Sequence, residues 1–409
     1  MNLVTEIAPK LAEQYADMLS LDFRRRHTLL NSWNHFANDL LLWDKRLQTY
    51  IEGLKYLRKD ARIYFDGWSN SLLTRGDVFA MGSFAFHTDD ARLLENSLSL
   101  ILAMPHLIQV AESVIAWAPA KSMLWETAFS SPTIRVMAAY IRNDLPHISH
   151  LKDDEISRLM ASPAAIPGLV KMLHQQQHPD YFSIITNLIS TDNPQTRLGV
   201  ITAILTHHLP YRDLAPEKHL LDLLARDNEI VRNKAMRLYL CHTDSASPDR
   251  IINPGENVAD QRLYLTALGY SGIAANIEIL KQFLDKPEYA RLAATAIVMI
   301  TGASPESAGW LSQHPLTGIT STDDDPDGAL SWPEKSAFEC WWKNHSYQFD
   351  ASKVYVAGNP ATKQGLQQVL QHGCLAVHPL AKSRLCHLTR ESINEDFIPT
   401  FFGSHHDAR

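Results

Sequence analysis

Apolar residues recur at i, i+3, i+4 and i+7 along nearly the whole chain, the spacing that lays an apolar stripe on one face of an α-helix. Leu220, Leu221, Leu223 and Leu224 begin one stripe. Ile273, Ile277, Leu280 and Leu284, with steps of four, three and four, form another. Trp33, Phe36, Leu40 and Trp43 recur at helical spacing and are expected in a helix core. Period-two alternation is confined to Lys353-Val354-Tyr355-Val356, too short to predict a strand by itself. Proline and glycine fall mostly between the periodic stretches, where they punctuate helices. The pattern predicts an all-α chain.

A motif then repeats. An apolar helix ends, a turn with Asp or Pro follows, then an arginine, then small and apolar residues. Asp285-Lys286-Pro287-Glu288-Tyr289-Ala290-Arg291-Leu292-Ala293-Ala294 is its clearest copy, and Asp227-Asn228-Glu229-Ile230-Val231-Arg232 the next. Weaker copies carry Arg92, Arg135, Arg197 and Arg262. The turn residue starts the second helix of a pair, by capping it or by fixing φ in its first turn. The small residues after the arginine allow close helix packing. This resembles HEAT-like repeats, so the expected architecture is a HEAT-like helix-pair solenoid with an N-terminal helical region and a C-terminal helical cap. The expected division is 1–85, N-terminal helical region; 86–310, solenoid; 311–332, acidic connector; and 333–409, C-terminal helical cap and tail. The marker arginines are expected to maintain structure.

The chain's 409 residues exceed one compact core, which suits several domains or an elongated array. Lys and Arg total 38 against 45 Asp and Glu, a formal net charge of −7. That balance argues against a protein whose main task is coating nucleic acid or an anionic membrane. Four cysteines (Cys241, Cys340, Cys374, Cys386) are too few for a disulfide framework and lack metal spacing. Cys374 and Cys386 are expected as small buried residues. The start shows no basic-then-apolar leader, and no apolar run is long enough to span a bilayer. Cytoplasmic location is the expectation.

The C-terminal region carries the more specific signature. Pro333 leads to Trp341-Trp342, then Phe349, then Tyr355, Gly358 and Pro360 before the last helices. Near the start stand Glu13-Gln14-Tyr15-Ala16, Leu47 through Gly53-Leu54, and Gly76-Asp77-Val78-Phe79-Ala80. With these the chain resembles bacterial HEAT-repeat proteins encoded in type VI secretion gene clusters, over nearly its whole length. It departs where such proteins usually carry an arginine before the tyrosine–glycine–proline turn: here the stretch is Asp350-Ala351-Ser352-Lys353-Val354. The resemblance implies a role around secretion cargo, with a secreted toxin or spike component as partner, and supplies no catalytic residues.

Candidate chemistry is sparse. Asp323, Asp325, Asp327 and Glu334, with Gly328 between them, match the spacing of an EF-hand calcium loop. Pro326 and Pro333 are unusual there. The competing reading is a solvated connector, with Ser331 capping the next helix and Glu334 near its positive end. His174 and His178, four apart, suit two zinc positions but have no third ligand in sequence. The run Arg24-Arg25-Arg26-His27 fits phosphate or an acidic partner, or else a solvated helix face. Trp341 and Trp342 point about 100° apart on a helix. They fit a cap docked on the solenoid's end or an anchor for a partner. No P-loop, G-x-S-x-G or G-x-G-x-x-G occurs. Three functions follow as expectations. The first is a non-enzymatic protein-binding scaffold of type VI secretion, acting as adaptor or immunity protein. The second is a DNA-binding HEAT-like enzyme of the alkylated-base glycosylase type. The third is a cofactor-protein lyase or maturation factor.

Overall fold

Polar residues at the turns start the helices. A computed structural model describes residues 3–68, 72–145, 148–211, 214–226, 228–243, 247–251, 258–314, 316, 327, 328 and 330–392. The Asp90 side chain accepts from Leu93 N, Ser131 from Ile134 N, and Asn228 from Val231 N. Asn193 accepts from the amides of Gln195 and Thr196. Each cap satisfies amides that have no partner inside the first helical turn. In these motifs the capping residue immediately precedes the helix. The aspartate Asp192 is therefore not the cap of its helix, and Asp227 lies outside the described residues.

The described chain is all-α apart from one short hairpin, and it divides into two units. The first contains α1 (Leu3–Leu29), α2 (Ala37–Tyr56), α3 (Arg58–Gly67), α4 (Arg75–Thr88), α5 (Ala91–Ala103), α6 (Ile108–Trp117), α7 (Trp125–Phe129), α8 (Pro132–Ile141), α9 (Asp153–Met160), α10 (Ile166–Gln175), α11 (Tyr181–Ile189) and most of α12 (Pro194–His207). The helix α4 is apolar on every side. Val78 through Phe86 are all buried, and α1, α2, α5 and α6 pack around it. One hydrophobic core runs from Ala12 in α1 to Ala138 in α8, so the N-terminal helices share their core with those that follow. Of the aromatic stripe expected in one helix, Leu40 is buried but Phe36 is 46% exposed. The reason is local: α2 begins at Ala37, with Phe36 as its N-cap. Further on, α8 packs on α6 and α10. Gly168 is needed at that last contact, because a Cβ there would lie 2.0 Å from the Val136 carbonyl oxygen.

The second unit contains the end of α12, then α13 (Pro216–Leu224), α14 (Glu229–His242), α15 (Pro248–Ile251), α16 (Val258–Ser271), α17 (Ile277–Leu280), α18 (Ala290–Thr301), α19 (Pro305–Ala308), α20 (Lys335–His345), β1 (Tyr355–Val356), β2 (Asn359–Pro360), α21 (Lys363–His372) and α22 (His378–Thr389). Here α16 packs on α14 and α18. The strands pair antiparallel, Tyr355 opposite Pro360 and Val356 opposite Asn359. The turn residues Ala357 and Gly358 both have positive φ, 46° and 80°, the backbone form that matches a tight hairpin's twist. The hairpin closes the end of α18. Ala357 N donates to Met299 O at 2.7 Å and Gly358 N to Ile300 O at 2.9 Å, taking up carbonyls left open at a helix C-terminus. The motif residues then form one chain of rings: Phe338 to Trp342, Trp342 to Phe349 at 5.6 Å, and Phe349 to Tyr355 at 5.1 Å. That chain ties α20 to the hairpin.

Arg135 in the first unit and Arg262 and Arg291 in the second turn inward. Arg135 forks onto Glu155 at 3.0 and 3.2 Å and donates its Nε to Phe129 O. Arg262 forks onto Asp327 at 2.6 and 2.8 Å. Arg291 donates to the Asp327 carbonyl oxygen at 2.7 Å and lies over the Trp332 ring. Arg92, at the start of α5, is exposed.

His378, at the first position of α22, is 5% exposed and donates to the Gly373 carbonyl oxygen at 3.3 Å. Its pKa is lowered to about 4, chiefly by burial and also by nearby Lys382, against the hydrogen bond to Gly373, which raises it. The unfolded chain therefore takes up this proton near pH 6.5 while the folded one does not until about 4. Stability contributed by neutral His378 is present above pH 6.5 and is lost as pH falls through that window. Between pH 7.5 and 5 the loss is expected to be about 2 kcal/mol. Urea unfolding of the protein and of His378→Leu checks it: the variant should lose that much of the pH dependence, and parallel curves would refute the assignment.

Candidate functional site

The basic run of α1 divides by helical register. Ala12, Ala16, Leu19, Phe23 and Arg26 follow one another at steps of four, three, four and three, and all are buried. Arg26 is thus carried inward, where its guanidinium pairs with the buried Asp44 through Nε and, at 3.3 Å, through Nη2. The spacing from Leu19 and Phe23 is the sequence signal that separates Arg26 from its neighbours. Arg25 is exposed and pairs with Asp22 at 3.3 Å. Arg24 is exposed and has no carboxylate partner among the described residues.

Arg24 and His27 instead line a cleft of about 160 Å³. Phe23 and Val110 contribute its apolar lining, and Arg75, Gln109 and Ser113 the rest of its polar groups. Three helices meet there: the last turns of α1, the first residue of α4 and the first half of α6. Phe23 is immobilised by stacking on Phe79 at 3.9 Å, and Phe79 meets Trp117 edge-on at 5.9 Å. The start of α4 is held as firmly. Thr74 and Asp77 cap it reciprocally, and Ser20 Oγ donates to Asp77 Oδ1 at 2.6 Å. Gly76 lets the α4 backbone close on α1, because a Cβ there would lie 2.2 Å from Ser20 O. Arg75 follows from these contacts, and it too has no carboxylate partner among the described residues. His27 has its pKa lowered, first by burial and then by the charges of Arg75 and Arg26. The positive charge of the cleft therefore resides on Arg24 and Arg75. The sequence offered Arg24 and His27 as candidates. It held no sign of Arg75, Gln109 or Ser113, which lie 48 to 86 positions further along the chain than His27.

The other sequence candidates lie in the second unit. Trp341 and Trp342 are both partly buried on α20. Trp342 Nε1 donates to Glu278 Oε1 at 2.9 Å, and Trp341 stacks on His345 at 4.7 Å. Of the acidic connector, Asp323 and Asp325 lie outside the described residues. Asp327 is buried and bound by Arg262, and the Glu334 side chain caps α20 by accepting from Ser336 N. The two described members of the calcium pattern are thus engaged with a guanidinium and a helix N-terminus. His174 and His178 do not share a helix, because α10 ends at Gln175. Among the described residues, no three His, Cys, Asp or Glu side chains converge as a metal site requires. Cys374 and Cys386 are buried, while Cys340 is exposed. No described helix is long and apolar enough to cross a membrane.

Truncating the three arginines separates their roles. Arg26→Ala strips buried Asp44 of its guanidinium and is expected to cost about 3–5 kcal/mol of stability. Arg24→Ala and Arg25→Ala are expected to change it by less than about 0.5 kcal/mol. Urea unfolding of the three variants checks this, and three equal losses would refute it. Compared with known proteins, the chain matches no family model, no curated protein and no solved structure.

Proposed function

We propose that this protein is a non-enzymatic protein-binding scaffold built of HEAT-like helix pairs and associated with type VI secretion. It serves as adaptor for a secreted toxin or spike component, or as immunity protein against a toxin, in the cytoplasm. The observation that carries the repeat reading is a recurrence. Arg135, Arg197 and Arg232 each stand at the fourth position of their helices α8, α12 and α14, behind a polar residue that caps the helix. Arg135 and Arg197 are buried. In the second unit α14 packs on α16 and α16 on α18, and in the first α8 packs on the neighbouring α10. Repeats that bury their polar markers this way leave the remaining helix faces available to other proteins. The secretion association rests on the C-terminal signature, whose aromatic residues form the ring chain joining α20 to the hairpin.

In this reading Trp341, Trp342, Arg24 and Arg25 are the proposed partner contacts. Arg26, already neutralised inside α1, is not among them.

Affinity purification of the tagged protein from its native cells, followed by mass spectrometry, tests the proposal. A stoichiometric toxin or spike component is the expected companion. Recovery of nucleic acid, or of no protein at moderate salt, would overturn it. Gene deletion then separates the two roles: self-intoxication identifies immunity, and loss of toxin export identifies an adaptor.

A further inference from the structure

We propose that the cleft between α1, α4 and α6 binds a phosphate monoester carried on a small aromatic group, the phosphoryl oxygens meeting Arg24 and Arg75 and the ring resting on Phe23 and Val110. The site shares Arg24 with the proposed partner contacts, but its ligand is a small phosphorylated group, so direct binding of that group is read separately from co-purification of a partner.

Charge is the first argument. The chain has a formal net charge of −7, and other arginines of α1 and α2 have carboxylate partners: Arg25 and Arg46 share Asp22, and Arg26 pairs with Asp44. Arg24 and Arg75 depart from that pattern. Two guanidinia with no carboxylate partner among the described residues line one concavity and form an anion site of charge close to +2, the His27 pKa being lowered first by burial and then by Arg75 and Arg26. A phosphate monoester near neutral pH carries between one and a half and two negative charges and three strong acceptor oxygens. A carboxylate, with one charge and two oxygens, would occupy a single fork. The donors available (two guanidinia, the His27 imidazole, the Ser113 hydroxyl and the Gln109 amide) exceed what a carboxylate uses.

Shape is the second. The cleft volume is about 160 Å³. A protein cavity of about 150 Å³ with apolar walls accepts a benzene ring. Phe23 and Val110 form the apolar part of the cleft's wall, against which an entering aromatic ring makes van der Waals contact.

Preorganisation is the third. The α4 backbone that carries Arg75 is fixed by the Thr74–Asp77 cap and by Ser20, while the Phe23 ring is fixed by Phe79. A site whose groups are already placed loses little conformational freedom on binding.

Calorimetric titration of the full-length protein at low ionic strength tests this with phenyl phosphate, inorganic phosphate and benzoate. Phenyl phosphate should bind at least about tenfold more tightly than either fragment, and Arg24→Ala and Arg75→Ala should each weaken it by about tenfold or more. Both arginines are at the surface, so the variants should keep the parent's helicity and melting temperature. A peptide bearing phosphotyrosine distinguishes the two sources of the ligand. Binding tighter than phenyl phosphate, lost without the phosphate, assigns the site to a modified side chain; weaker binding assigns it to a free aryl phosphate. Absence of phenyl phosphate binding, equal binding of benzoate or of inorganic phosphate, or unchanged binding by the Arg24→Ala/Arg75→Ala double variant would each overturn the proposal. None of these outcomes bears on co-purification of a secretion partner.

Discussion

The enclosure of α4 is the constraint on which the first unit depends. A helix apolar on every side is stable in water only when other helices surround it. Here α1, α2, α5 and α6 do so, joined through one core. Apart from the buried Ser83, the polar residues of α4 accordingly lie at its ends. Arg75 stands at its first position and emerges between α1 and α6, since a guanidinium without a partner is not buried. The cleft is thus a consequence of the core: the place where the enclosing helices meet is also where the charge at the end of the enclosed helix comes out.

Arginine in this chain has two fates, and the packing decides between them. Arg26, Arg135 and Arg291 are buried, and there each is matched to a carboxylate or a backbone carbonyl. Matching is compulsory, because a buried charge without compensation is strongly destabilising. In the second unit Arg262 and Arg291 both hold Asp327, so an aspartate that looks like a cation ligand in sequence acts as the fastening point of the connector. Arg24 and Arg75 are exposed and have no carboxylate partner among the described residues. Their charge remains available to something outside the chain.

The C-terminal signature has a comparable explanation. Its tryptophan, phenylalanine and tyrosine, seven and six residues apart in sequence, touch ring to ring, and the hairpin they support closes the last carbonyls of α18. Gly358 is required there on two counts. Its φ is positive, and a Cβ would meet Thr301 O at 2.6 Å. A short stretch of strand in an otherwise helical protein is therefore a cap built from backbone.

Helices, their starts and the inward register of Arg26 are legible in the sequence, because periodicity and capping are local: they involve residues within a turn or two of one another. Leu19, Phe23 and Arg26 show it, as do Asn193 and Asn228. The meeting of Arg24 and His27 with Arg75, Gln109 and Ser113 was decided by the tertiary structure alone. So was the diversion of Asp327 from a calcium pattern to Arg262. Those outcomes depend on distances through space between distant segments, set by how α4 is enclosed and where α16 and α18 lie against the connector. No spacing along the chain records such distances.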